Sequence, residues 1–220
     1  MGYVLIRRRT SSGGSGKTIN DYVQNGIVFW LDGIENTRNG HNASSTTWQD
    51  LTSTHRDMTY NSAAEIGSKY CILGDKSAIT KLSATTTSYT IEVVSDYPSS
   101  TAVQMIMPWK GNAYGTVYYE GGKIMFRSAS SSTSITGIVM EQGINTYAAR
   151  GNSNFRVNGR AATTGTLKRS ASTAADWMGY YSSSYPFPCS TKIYAIRIYN
   201  RTLTDDELME NYLVDVDRFK

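Results

Sequence analysis

The closing segment "KIYAIRIYNRTLTDDELMENYLVDVDRF" (Lys192–Phe219) decides the fold. Its first eight residues are rich in β-branched and aromatic residues, the composition of a strand. The period of a strand aligns Tyr194, Ile196 and Ile198 on one side. The rest reads as a helix. Thr204 stands at the N-cap with Glu207 three residues on, a capping box, and Leu203 and Leu208 occupy the hydrophobic-staple positions. Asp205 and Asp206 sit where the helix dipole favours negative charge. The "DDE" triplet is therefore read as a capped helix start rather than a metal-binding carboxylate cluster. Leu208, Tyr212 and Val216, with Met209 and Leu213, make the expected apolar stripe. So the chain ends on a strand followed by one capped helix.

Outward from this segment the chain reads as strands and turns. "GIVFWLDG" (Gly26–Gly33) is a short apolar run bounded by glycines. "YTIEVVSDY" puts Tyr89, Ile91 and Val93 on one face and Thr90, Glu92 and Val94 on the other. "TVYYEGGKIMF" and "FRVNGRAA" are hairpins, with Gly121-Gly122 and Asn158-Gly159 supplying the positive φ angles of tight turns that match strand twist. Ser/Thr-rich stretches such as "SASSSTSIT" separate these units. Many short strands with few helices imply an all-β sandwich or jelly roll.

Charge divides the chain. Of its 22 Lys+Arg and 18 Asp+Glu, Arg7, Arg8, Arg9 and Lys17 lie in the first 18 residues, which hold no acid. That stretch carries +4, and the remaining 18 basic and 18 acidic residues cancel. The division expected is a basic arm and Gly/Ser linker over 1–18 and one domain over 19–220. "RRRTSSGGSGKT" (Arg7–Thr18) ends like a phosphate-binding loop, but the first glycine of that motif is replaced by Ser11 and no helical stripe follows. A flexible join is the better reading, and no nucleotide is expected. A basic triplet on such an arm suits nucleic acid, an acidic protein surface or a membrane face, and the neutral domain argues against nucleic acid. "YVLI" has strand-forming residues able to add to a partner's sheet edge. The partner-anchoring candidates are thus Tyr3, Val4, Leu5, Ile6, Arg7, Arg8 and Arg9.

No secretion signal is apparent, because the only early apolar run precedes the arginines. No segment approaches the ~20 apolar residues of a membrane helix, so no membrane insertion is expected. Synthesis in a cytoplasm, where glutathione keeps thiols reduced, makes buried free thiols the expectation for Cys71 and Cys189.

"NGIVFWLDGIENT", "WQDL", "YTIEVVSDY", "FRVNGR" and the closing segment together resemble the concanavalin A-like lectin/glucanase superfamily. More closely, they are similar to the laminin-G-like jelly rolls of gut bacterial and phage surface proteins. The resemblance covers about residues 22 to 220. It implies two antiparallel sheets packed face to face, with the C-terminal segment returning beside the N-terminal strand. One departure stands out: family members often carry a Gly just before the "IYAIRIYNR" strand, where this chain has Cys189-Ser190-Thr191.

Fold does not settle function. Retaining glycosidases pair carboxylates about 5 Å apart. The glucanase branch sets them on one strand as E-x-D-x-E, and no E-x-D occurs in this chain. Glu92 and Asp96 share a face but stand too far apart for that pair, and read as solvent-facing strand charges. There is no G-x-S-x-G elbow. No catalytic residue is therefore assigned, and the chain is expected not to be an enzyme. His41 and His55 lack zinc-site spacing. Asp32, Glu35 and Asp50 are candidate calcium ligands that no loop pattern ties together. No metal and no cofactor are expected. Asn42 and Asn200 fit the glycosylation sequon, which means little without a secretion signal.

Aromatic residues are the remaining signal, with 16 Tyr and 4 Trp. Tyr and Trp give flat, rigid contact area with a polar tip, useful against sugars and proteins alike. Trp109, Tyr114, Tyr180, Tyr181 and Tyr185 are the candidates. The sequence is best read as a non-catalytic display protein of a phage virion: a capsid-decoration, head-fibre or tail-associated subunit made in the host cytoplasm. Its arm would bind other virion proteins, its lectin-like domain would meet host-surface or mucus glycans, and a homo-oligomer is compatible with this. The alternative is a carbohydrate-binding module or adhesin at a bacterial cell surface.

Overall fold

The computed structural model describes residues 16–59, 64–74, 78–79, 88–107, 116–127, 134–151, 154–168 and 189–220. A 3-10 turn, Ile19–Asp21, leads into the strands. These are β1 (Ile27–Asp32), β2 (Thr47–Trp48), β3 (Met58–Thr59), β4 (Glu65–Ile66), β5 (Cys71–Ile72), β6 (Ala78–Ile79), β7 (Thr90–Ser95) and β8 (Gln104–Met107). They continue with β9 (Thr116–Glu120), β10 (Lys123–Arg127), β11 (Ser134–Val139), β12 (Asn145–Arg150), β13 (Asn154–Val157), β14 (Arg160–Ala161), β15 (Thr164–Lys168) and β16 (Ile193–Tyr199). One helix, α1 (Asp205–Phe219), closes the chain.

All strand pairs among the described residues are antiparallel. The larger sheet runs β14-β13-β12-β7-β16-β5-β4, with β1 also on β16. β16 pairs with β7 along one side; on the other it takes β1 over Ala195–Tyr199 and β5 at Ile193. The second sheet runs β15-β11-β10-β9-β8, and β2-β3-β6 form a small third one. The C-terminal strand does return beside the N-terminal one. The whole is the expected all-β jelly-roll sandwich with one C-terminal helix.

The core lies between the two large sheets. Phe29, Leu31, Ile91, Val93, Tyr147, Ile196 and Ile198 from the first meet Ile106, Val117, Tyr119, Ile124, Phe126 and Ile138 from the second. Strand alternation produces this, since every second side chain points inward. Both hairpins form where expected. Gly121 and Gly122 have φ of 56° and 71°, and Asn158 and Gly159 have 53° and 72°, the left-handed pair a tight hairpin needs. Cys71 and Cys189 are both buried in the core, and no disulfide joins them.

Two expectations of pattern fail. Tyr194 does not align with Ile196 and Ile198. A register shift between Ile193 and Ala195 inserts one residue against β7, as in a β-bulge. Tyr194 therefore joins Ala195, Val94 and Phe219 on the outer face. The second failure is the helix stripe. The buried residues of α1 are Leu208, Asn211, Val214, Asp215, Arg218 and Phe219. Tyr212, Val216 and Met209 are half-buried and Leu213 is 53% exposed. The buried face is half polar because α1 packs on a sheet face that itself carries charge.

Candidate functional site

The outer face of the first sheet presents Trp30 and Asp32 from β1, Arg197 from β16 and Glu92 from β7. Strand pairing sets Trp30 against Arg197 and Arg197 against Glu92, so the three form a row across the sheet. α1 lies over this row. Its start is fixed by Thr204, whose hydroxyl accepts from Glu207 N while the Glu207 carboxylate accepts from Thr204 N. Leu203 and Leu208 pack in one cluster beside Tyr199 and Ala148. Asp205 pairs with Arg150 and Arg156, and Glu207 with Arg201. The "DDE" triplet thus serves the helix terminus. The Arg201 and Thr204 bonds hold the Glu207 carboxyl down at about 2.

Under the helix the charges interlock. Arg197, fully buried, donates through Nε to Glu92 Oε2 at 2.8 Å. It also forks onto Asp215 with bonds of 2.8 and 2.7 Å. Two parallel N–H···O bonds are the strong geometry for a guanidinium and a carboxylate. Asp215 further accepts from Tyr22 OH and Thr146 Oγ1, both at 2.7 Å. The Tyr22 ring lies under Arg197, 4.3 Å from its Cζ. One turn on, Arg218 forks onto Asp32 at 2.6 and 3.1 Å. Asn211 donates to Glu92 Oε2, and its Oδ1 accepts from Val23 N.

Burial raises the Glu92 carboxyl above its ordinary value, with Asp215 adding to this and Arg197 opposing it. Glu92 Oε1 accepts no hydrogen bond among the described residues. Burial would lower Arg197, but Asp215 and Glu92 overcome it and hold the guanidinium charged.

This corrects the reading of Glu92 as a solvent-facing strand charge. It is wholly buried, because α1 covers the face that period-2 alternation assigned to solvent. Asp96 lies beyond the strand end, accepting from Tyr194 OH at 3.0 Å. Neither is arranged as half of a glycosidase pair.

Two of the three candidate calcium ligands, Asp32 and Asp50, are occupied in other ways. Asp32 accepts from the amides of Ile34 and Glu35 as well as from Arg218. Asp50, fully buried, accepts from the amides of Trp30, Thr52 and Arg56 and from the hydroxyls of Thr52 and Thr54. These bonds fold the β2–β3 connection onto β1. Among the described residues no three His, Cys, Asp or Glu side chains gather as a metal site, His41 and His55 included. No helix there is long and apolar enough to cross a membrane.

The Cys189-Ser190-Thr191 segment before β16 also has a structural role. Gln104 Oε1, on β8, accepts from Ser190 N and Oγ and from Thr191 N and Oγ1 at 2.9–3.2 Å. Those two residues tie the second sheet to the approach of β16, a task for which a glycine has no side-chain donor. Nothing in the spacing of Gln104 and Ser190 could have signalled the contact.

Tyr3 to Arg9 of the arm, and the aromatic candidates Trp109, Tyr114, Tyr180, Tyr181 and Tyr185, lie outside the described residues. At the arm's root, Lys17 and Thr18 are bound into the 3-10 turn. Asp21 accepts from Thr18 N and Oγ1 and pairs with Lys17 Nζ at 3.4 Å.

No protein-family model matches the chain, and no curated protein does. Solved structures do match in fold. Trypanosoma rangeli sialidase in complex with sialic acid is 11% identical with a TM-score of 0.53, over 87% of this chain and 33% of that one. The same sialidase with a difluoro-KDN is 12% identical with a TM-score of 0.56, over 97% and 36%. The binding domain of botulinum neurotoxin DC in complex with SialylT is 14% identical with a TM-score of 0.53, over 88% and 52%. The type G receptor-binding domain gives 13% and 0.52, over 86% and 51%. The chain thus spans about a third of the sialidase it resembles and half of the toxin domains. At this identity the likeness establishes a shared β-sandwich fold.

Proposed function

We propose that the chain is a non-catalytic, lectin-like carbohydrate-binding domain, with sialylated glycans as the first ligand class. The observation that carries this reading is the likeness of nearly the whole sandwich to a toxin binding domain solved with SialylT and to a sialidase solved with sialic acid. The chemistry agrees. Glu92 is committed to Arg197 and Asn211 beneath a helix, and Asp96 to Tyr194, so neither is offered to a substrate. The aromatic candidates supply stacking faces for sugar rings. The setting we put forward for such a domain is display on a phage virion through the basic arm; its support is the segregation of +4 into the first 18 residues.

A glycan array followed by calorimetry tests the ligand class. Saturable binding of sialyllactose over lactose, weakened at least tenfold by Trp109→Ala or Tyr181→Ala with unaltered melting, is the expected result. Absence of saturable binding to any arrayed glycan at millimolar concentration overturns the reading. Turnover of sialyllactose or laminarin by the purified protein overturns its non-catalytic part.

A further inference from the structure

The charges buried between α1 and the first sheet do not cancel. Two guanidiniums, Arg197 and Arg218, face three carboxylates, Asp32, Glu92 and Asp215. Two of these carboxylates are well supplied with donors. Asp215 accepts both arms of the Arg197 fork and the hydroxyls of Tyr22 and Thr146. Asp32 accepts the Arg218 fork and the amides of Ile34 and Glu35. Glu92 differs. Its two donors, Arg197 Nε at 2.8 Å and Asn211 Nδ2 at 2.9 Å, both reach Oε2. Its Oε1 accepts no bond among the described residues. A buried carboxylate with one bare oxygen is far costlier when ionised than when neutral. The negative charge left over by the cluster therefore falls on the group least able to carry it.

We propose that Glu92 is a proton-operated latch for α1. With a proton on Oε1 the cluster is neutral and the helix is held on the sheet. Without it, an unbalanced negative charge lies buried beneath Asn211 and Asp215, and α1 loosens. The groups that face Glu92 support this. From β16 come Arg197 and the Tyr199 hydroxyl, which shares the Asn211 amide with Glu92. From α1 come Asn211 and Asp215, and Tyr22, from the segment before β1, bonds to Asp215. β12 sets Ala148 opposite Glu92 and adds no charge there. Its Arg150 is turned to Asp205 and Leu203 O, and Arg218 is held by Asp32. Burial pushes the Glu92 carboxyl up, and Asp215 adds to this against Arg197. The folded state thus binds the proton more tightly than the unfolded chain. Its contribution is full below the ordinary value of 4.5 and is lost as pH rises through the folded value. Glu207 at the helix start works in the opposite sense and lower, toward about 2, so the two windows separate. The latch is independent of glycan binding.

Carbon-13 NMR of the side-chain carboxyls in the full chain follows the proton directly. The Glu92 Cδ resonance should titrate about one pH unit or more above 4.5 with the fold intact. Over the same window the hydrogen-exchange protection of the Asn211 and Asp215 amides should fall, by up to about tenfold per pH unit for one proton. Glu92→Gln cannot take up the proton, so its protection at both amides should stay level. Titration of Glu92 at or below 4.5 overturns the proposal. So does protection in the parent that is level with pH, or an equal fall in Glu92→Gln. The first two measurements decide the matter on the parent chain even where the variant does not fold.

Discussion

Replacing Arg197 by Met removes the one cation among the described residues that touches both Glu92 and Asp215. The side chain is fully buried and makes three charge-assisted bonds. Met is close in volume, so little cavity is left, and the loss is chiefly electrostatic. Asp215 keeps its bonds from Tyr22 and Thr146, and Glu92 keeps Asn211, but two buried carboxylates lose their counter-charge. Removing one partner of a buried pair costs about 3–5 kcal/mol. That is a large share of the roughly 5–15 kcal/mol by which domains are stable. With a urea m-value of about 2–3 kcal/mol/M, the unfolding midpoint should fall by about 1–2.5 M, followed by circular dichroism.

The sign with pH is also set. Burial already raises the Glu92 carboxyl and Arg197 opposes that rise, so without Arg197 Glu92 rises further and the folded state holds a proton that the unfolded state releases. The stability of the variant therefore falls as pH rises above the unfolded carboxylate value. The difference from the parent should be larger at pH 8 than at pH 5. Glu92→Gln is the comparison: its amide oxygen still accepts from Arg197 and Asn211, and a buried negative charge disappears, so it should lose much less than Arg197→Met. A loss below about 1 kcal/mol for Arg197→Met, typical of an exposed pair, would refute the claim that the network is desolvated and mutually dependent.

Thr204→Ala should cost about 1 kcal/mol by removing the cap, with glycan binding unchanged; a lost affinity at unaltered melting would contradict a purely structural role. The stabilisation that Glu207 draws from Arg201 and Thr204 should be present above its ordinary value of 4.5 and lost as pH falls toward about 2, so acid titration of Glu207→Gln should show a smaller loss across that window. Gly137→Ala would drive a Cβ into Met125 Sδ and to 2.8 Å from Ile124 O; a destabilisation of about 1–3 kcal/mol is expected from such overpacking, read by thermal melting. Burial pushes the Cys189 thiol up to about 12, so a thiol reagent at pH 8 should modify it only as fast as the domain unfolds; rapid modification of the folded protein would show the site to be open.

The outline of this protein was legible locally. Gly121-Gly122 and Asn158-Gly159 specify hairpins because few other dipeptides tolerate two successive positive φ angles. Thr204 and Glu207 specify a helix start because both halves of the capping box lie within one turn. The inward face of β7 follows from alternation alone. The failures share a cause, which is partners far away in the chain. Leu213 was read as part of the apolar stripe yet is exposed, while Asp215 is buried, because the sheet beneath α1 presents Arg197 and Glu92 rather than an apolar face. Glu92 was assigned to solvent because alternation tells which side of a strand a residue takes but not what covers that side. The displacement of Tyr194 depends on one extra residue against β7, and the Gln104–Ser190–Thr191 junction on two sheets meeting. Local sequence determines which backbone geometries are cheap; the environment of a charge is decided only when elements 105 to 119 residues apart, such as Arg197 and Asn211 around Glu92, are brought together.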